Sequence, residues 1–158
     1  MVYETIIAQL TEQKVPFDLL EHEVIRTAAD AERAVPGIVD DLVKTVAFKV
    51  KNGGWVLAGV PARARIDYKK LAALVGVNRR MLRSLSPEQV EAELGFQVGG
   101  VGPFAINPEI AIFFDDSLAG AGKVYCGSGK NTRTVALAFA DLVVVSGGRL
   151  ESVIKAVA

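Results

Sequence analysis

Three short segments of the chain combine residue types that could handle an anionic or carbonyl-bearing ligand. The first is Lys44, within Val43-Lys44-Thr45-Val46-Ala47-Phe48. A lysine at the start of an apolar strand can donate several hydrogen bonds to phosphate or carbonyl oxygens. Two-residue alternation turns it away from the face shared by Val43 and Thr45. The plainer reading is a surface lysine paired with Asp40 or Asp41, and for Lys44 taken alone that reading is the stronger. The second segment is Gly99-Gly100-Val101-Gly102-Pro103-Phe104. Its glycines let backbone groups approach a ligand, Pro103 stiffens the loop, and paired N–H groups of this kind can hold an oxyanion. An ordinary turn is the alternative. The third is Cys126-Gly127-Ser128-Gly129-Lys130-Asn131-Thr132. It lacks the spacing of a nucleotide-binding P-loop and lies between strands, so it reads as a backbone nest or a plain hairpin turn.

Several chemistries are missing. There is no G-x-S-x-G elbow. His22 is the single histidine and Cys126 the single cysteine. A triad could be built only through His22, which reads better as a packing or hydrogen-bonding residue. Cys126, inside a β-run, reads as a small buried hydrophobe. One cysteine excludes an internal disulfide, and one Cys with one His excludes a Cys/His zinc site.

These segments need elements to position them. Tyr3 to Lys14 reads as an amphipathic helix stopped by Pro16, and Phe17 to Leu20 as a short strand. Thr27 caps a helix through Ala34, with Asp30 in its first turn, and Pro36-Gly37 ends it. Val43 to Val50 and Trp55 to Val60 form a hairpin about Asn52-Gly53-Gly54. Asp67 caps a helix from Tyr68 to Val75, closed by Gly76. A short strand at Met81 to Arg83 follows. Ser86-Pro87-Glu88-Gln89 opens a helix that Gly95 closes. Ile110 to Phe114 is a buried strand, and Val124 to Cys126 and Arg133 to Ala138 flank the glycine turn. After Phe139 the pattern fits either a strand at Val143 to Val145 or a helical turn over Ala140 to Val144. Residues 150–157 read as a closing helix. Strands and helices without a βαβ rhythm predict one α+β domain over 1–158, with a central mixed, mostly antiparallel sheet and surrounding helices.

The chain has 158 residues, 51% apolar, enough for one compact core. No apolar run reaches the ~18 residues of a membrane helix, and the N-terminus lacks a signal-peptide pattern, so a cytoplasmic protein is expected. Net charge is zero, but it is unevenly placed. Residues 44–83 carry 10 bases and one acid, Asp67, whereas residues 1–43 carry 9 acids and 3 bases. Clustered bases attract phosphates, although a solvated face folded back into salt bridges fits composition equally well.

In this order, the segments resemble the YbaK/prolyl-tRNA-synthetase editing-domain family. The likeness is carried by Thr27-Ala28, by Val43 to Phe48, by Arg65-Ile66-Asp67-Tyr68-Lys69-Lys70-Leu71-Ala72, and by Ser86-Pro87-Glu88-Gln89-Val90. It continues through Leu94-Gly95-Phe96, Gly99 to Phe104, and Val124-Tyr125-Cys126 with the Gly129 turn. The resemblance implies an enzyme that hydrolyses the ester between a wrong amino acid and the tRNA 3′ end, typically tRNA for proline. It implies no metal and no organic cofactor. Its implied partners are the acceptor end of aminoacyl-tRNA and prolyl-tRNA synthetase. By resemblance Lys44 is the essential lysine, and Gly99, Gly100, Val101, Gly102 and Pro103 form a G-x-x-x-P loop that binds the aminoacyl group. Thr27, Thr45, Gly127, Ser128, Gly129 and Thr134 are the expected substrate-binding positions. Some cysteine-specific members carry a Ser and an Asp where this chain has Gly127 and Thr134, so cysteine specificity does not transfer directly. A non-catalytic module for an aminoacyl or nucleotide-like ligand, or a hydrolase of another small ester, uses the same backbone atoms. The expectation is that Lys44 and the Gly99–Pro103 loop face one pocket, with the bases of 44–83 beside its mouth.

Overall fold

The computed structural model describes residues 1–156. Local sequence signals account for most of its elements. Helix α1 (Val2–Glu12) buries Ile6 and Leu10 on one face. Strand β1 spans Asp18–Glu21. Thr27 caps α2 (Ala28–Ala34), its side chain accepting from the Asp30 N–H. After a 3-10 turn at Ile38–Asp41 come β2 (Val43–Val50) and β3 (Trp55–Pro61). Asp67 accepts from the N–H groups of Lys69 and Lys70 to start α3 (Tyr68–Val75), and Gly76, at φ 82°, ends it in the left-handed region. Strand β4 is Leu82–Ser84, and α4 (Pro87–Leu94) opens on a Ser86/Gln89 capping box. Then follow β5 (Ile110–Asp115), β6 (Lys123–Gly127), β7 (Arg133–Ala138), α5 (Phe139–Ser146) and β8 (Arg149–Glu151).

The fold is the expected α+β arrangement, with its strands shared between two sheets. The larger has the order β4-β2-β3-β5-β8. It is mixed: β2 runs antiparallel to β3 and β4, while the β3–β5 and β5–β8 pairs are parallel. The smaller, β1-β7-β6, is antiparallel throughout. A single parallel bridge, Leu42 to Tyr125, ties the two together.

Alternation along β2 divides the interior. Val43 and Ala47 enter the main core with Phe96, Phe104, Phe114 and Leu142. Phe48 enters a second core under α3, with Leu71, Leu82 and Val153. Strand β2 is thus the wall between two apolar layers, and successive side chains from one segment reach different sides.

The ambiguous segment after Phe139 is helical. Phe139, Leu142 and Val145 are buried while Val144 is 72% exposed, a helical spacing. The closing helix expected over 150–157 does not form; position 157 lies outside the described residues. Arg149–Glu151 instead pair with Phe113–Asp115 as β8. The buried Asp115 carboxylate accepts from the N–H groups of Val153 at 2.9 Å and Ile154 at 3.2 Å. Ile154 also bridges Ile66. Sheet and side-chain partners therefore take the backbone groups a helix would have used. Among the described residues no helix is long and apolar enough to cross a membrane.

Candidate active site

The site begins with a gap in β2's pairing. On its outer edge β4 pairs only with Phe48–Val50, and the Leu85 N–H extends this by donating to the Ala47 carbonyl at 2.9 Å. At the other end the edge is closed by the Leu42–Tyr125 bridge. N–H and C=O groups of alternate residues point to the same edge of a strand. Ala47 points towards β4, so Thr45 does too, into the gap. A cavity of about 380 Å³ lies against this open edge.

Distant segments complete the wall. Lys44, Thr45, Thr27, Gly99, Val101, Gly127 and Thr134 all line it. Lys44 and two residues of the glycine loop, Gly99 and Val101, thus border one cavity. Gly100, Gly102, Pro103, Ser128 and Gly129 are not in the wall. They build it from behind, because the two glycine turns interlock backbone to backbone. The Gly129 N–H donates to the Gly100 carbonyl at 2.7 Å. A Cβ on Gly100 would press on the backbone of Gly129 and Lys130, and one on Gly102 on that of Gly127. The glycines thus serve a close approach of chain to chain. Ser128 is fully buried, and its hydroxyl donates to the Arg133 carbonyl at 2.6 Å, holding the turn. Pro103 leads into the buried Phe104.

Three polar features give the cavity its chemistry. First, Lys44 lies on the boundary between this cavity and a second one, and its ammonium donates to the Ala64 carbonyl at 2.8 Å. Burial, and then the nearby Arg65 charge, push its pKa below the usual lysine value. Second, the Thr45 hydroxyl is buried with no hydrogen-bond partner among the described residues. Third, the N–H groups of Gly99 and Val101 donate to no acceptor among the described residues, while the neighbouring Gly100 N–H is held by the Gln97 carbonyl at 2.7 Å. Thr27, by contrast, spends its hydroxyl as the α2 cap.

The wall also holds groups not expected from sequence. His22 Nδ1 lies 2.7 Å from the Glu23 carbonyl and Nε2 lies 2.7 Å from the Thr134 hydroxyl. The carbonyl only accepts, so Nδ1 carries the hydrogen. In the neutral ring Nε2 then accepts from Thr134. Arg26, Lys130, Asn131 and Arg133 line the wall as well. With Lys44 this makes four cations and no carboxylate among the described lining residues. Lys130 and Arg133 lie 4.0 Å from Glu4 and 3.6 Å from Glu21, while Arg26 and Lys44 enter no ion pair among the described residues and favour an anionic ligand. Lys130 and Asn131 belong to the third segment singled out from sequence, whereas Arg26 and Arg133 only neighbour a threonine that was, and adjacency alone did not mark them. Cys126 is fully buried, and burial pushes its pKa up, so its thiol stays protonated.

The bases of 44–83 divide. Arg63 pairs with Asp40 at 2.9 Å and Arg83 with Glu93 at 3.9 Å. Lys44, Arg65, Lys69 and Arg79 gather instead around the second cavity.

Comparison with known proteins finds relatives along most of the chain. The chain is 28% identical over 144 residues to the prolyl-tRNA editing protein ProX of Acetoanaerobium sticklandii, covering 88% of this chain and 87% of that one. It is 26% identical over 131 residues to the protein YwhH of Bacillus subtilis, covering 81% of this chain and 82% of that one. A crystal structure described as a candidate trans-editing enzyme for prolyl tRNA synthetase superposes with a TM-score of 0.81 at 25% identity, covering 98% of each chain. The hypothetical protein APE2540 shares the fold at a TM-score of 0.84 and 24% identity, over 96% of this chain and 99% of that one. A family model of the aminoacyl-tRNA editing domain matches residues 22–144, a span that holds the β2 edge, both glycine turns and the His22–Thr134 pair, and the chain belongs to that family.

Proposed function

We propose that this chain is a trans-acting deacylase that hydrolyses the ester of mischarged tRNA, with the aminoacyl group held in the cavity against the open β2 edge. The observation that carries the reading is that one wall holds Lys44, Thr45, Gly99 and Val101, with the Thr45 hydroxyl and the N–H groups of Gly99 and Val101 lacking partners among the described residues. Similarity to the prolyl-tRNA editing protein supports tRNA for proline carrying a wrong small amino acid as the substrate. Prolyl-tRNA synthetase would supply that substrate, and the cytoplasm is where the two would meet.

The chemistry asks little of side chains. Water attacks the ester carbonyl, the carbonyl oxygen takes up negative charge, and the bond to the ribose oxygen breaks. That oxygen leaves with a proton, releasing free amino acid and tRNA. The Gly99 and Val101 N–H groups are the available donors for the oxyanion, each contributing on the order of 3 kcal/mol if well aligned. Lys44 holds the phosphate or ribose end, and the Thr45 hydroxyl and backbone hold the aminoacyl group against the strand edge. Fixing the ester beside a water supplies much of the remaining rate. The buried, protonated Cys126 takes no part. Single-turnover hydrolysis of Ala-, Cys- and Ser-charged tRNA for proline tests the assignment. Turnover of at least one above buffer is expected, and turnover of none overturns it.

A further inference from the structure

A second cavity, of about 730 Å³, adjoins the first and shares Lys44 and Val46 with it. It is walled by the start of α3, the approach to it from Ala64, and the C-terminal segment at Lys155. Among the described residues its lining holds five cations, Lys44, Arg65, Lys69, Arg79 and Lys155, and one carboxylate, Asp67. The Asp67 charge is engaged by the N–H groups at the start of α3. Among the described residues, Arg65, Lys69, Arg79 and Lys155 enter no ion pair, in contrast to Arg63 and Arg83 nearby. Exposed cations that outnumber the neighbouring carboxylate leave a positive potential that an anion relieves.

One of the five is built differently. The Arg79 guanidinium lies 4.4 Å from the centre of the Tyr68 ring and donates to the Leu82 carbonyl at 3.1 Å. Tyr68 in turn packs edge-on against the buried Phe48, with ring centres 5.3 Å apart. The exposed guanidinium is thus held by the Tyr68 ring and the Leu82 carbonyl before any ligand arrives. Unpaired nucleobases stack on guanidinium planes, whereas free phosphate or a duplex has no use for one.

We propose that this second cavity takes the unpaired 3′ strand of an RNA, with phosphates against Lys69, Arg65 and Lys155 and one base stacked on the Arg79–Tyr68 platform. The strand then passes over Lys44, so that its terminal ribose enters the first cavity. This rests on the deacylase reading, and it adds the path by which the RNA reaches the site. Lys155 belongs to it although it lies far outside the basic stretch in sequence. The Lys155 N–H donates to the Arg65 carbonyl at 2.8 Å, which anchors that segment at the cavity rim.

The test uses two substrates and one binding probe. The substrates are aminoacyl-tRNA and the aminoacyl ester of adenosine, which enters the first cavity without any phosphate. Arg79→Ala combined with Lys155→Ala is expected to lower kcat/KM on aminoacyl-tRNA at least tenfold and to leave the adenosine ester unchanged. Arg79→Lys keeps the charge but not the plane, and is expected to recover less than half of that loss. The binding probe is a short RNA hairpin with a single-stranded 3′ tail, set against the same hairpin made blunt. Wild type is expected to bind the tailed form at least tenfold more tightly, the double variant to lose the difference, and its slope of log affinity against log salt to fall by about one to two. Equal losses on both substrates, no loss on aminoacyl-tRNA, or equal binding of tailed and blunt hairpins overturns the proposal. If wild type hydrolyses neither substrate, the deacylase reading fails, while tail-dependent binding still decides the fate of the second cavity.

Discussion

Gly102 and Gly127 face each other so closely that neither tolerates a side chain. A Cβ on Gly102 would overlap the Gly127 carbonyl oxygen, and one on Gly127 would overlap that of Val101. The contact joins the loop after α4 to the end of β6, and it sets where the Val101 N–H sits. Gly102→Ala and Gly127→Ala are each expected to lower stability by about 1–3 kcal/mol, the usual cost of forcing atoms into a packed region. They are also expected to reduce deacylation more than the lost stability accounts for. Gly122, where an added Cβ would meet nothing within 4 Å, is the control. Urea unfolding midpoints beside single-turnover rates check this, and a Gly127→Ala protein with wild-type stability and rate would contradict the interlock.

The Thr45 hydroxyl is buried and has no partner among the described residues. A group in that state costs on the order of 1–3 kcal/mol in lost hydration. Thr45→Val keeps the shape and removes the cost, so the variant is expected to unfold at an equal or higher urea concentration than wild type. If the hydroxyl meets the aminoacyl group, kcat/KM falls about tenfold in the same protein. Stability gained together with activity lost is the signature sought; full activity would remove Thr45 from the site.

Lys44 carries a pKa below the usual lysine value through burial and Arg65. The unfolded chain therefore binds the proton more tightly than the folded one. The charged lysine costs stability at neutral pH, and the cost is relieved as pH rises through the folded-state value towards the ordinary lysine value. Wild type should gain stability relative to Lys44→Met over that alkaline window, and Lys44→Met should be no less stable at pH 7. Deacylation by Lys44→Met is expected to drop on the order of a hundredfold, because the ester is no longer held in place. Lys44→Arg should rescue poorly, since a planar guanidinium does not fit where a compact ammonium did. A series of urea titrations across pH, paired with rates at pH 7, separates the two effects.

His22 and Thr134 form one hydrogen-bonded unit in the wall. With its hydrogen committed to Nε2, the Thr134 hydroxyl offers lone pairs to a donor such as a substrate ammonium. His22→Ala and Thr134→Val should each lower kcat/KM about five- to tenfold. The double variant should be scarcely worse than either, because both changes remove the same interaction. Losses that multiply would show two independent roles. The comparison is made at one pH, with folding checked by circular dichroism.

Local chemistry was legible in the residues themselves. Thr27, Asp67 and Ser86 cap helices, Gly76 and Gly95 close them, and Val43–Val50 forms the strand its branched residues favour. Lys44 and the glycine turns stood out because their residue types are unusual where they occur. Each of these rests on interactions within a few positions of chain. What tertiary structure decided is of longer range. The tail over 149–151 became a strand because β5 offered it an open edge and Asp115 bound the N–H groups beyond it. No pattern inside 150–157 records that. The glycines of two loops answer to each other, and the His22–Thr134 pair spans 112 positions. The open stretch of β2 exists only because β4 and β6 pair on either side and stop short. A sequence records what each residue can do; which polar groups remain unpaired, and so free for a substrate, is settled only when every neighbour has taken its partner.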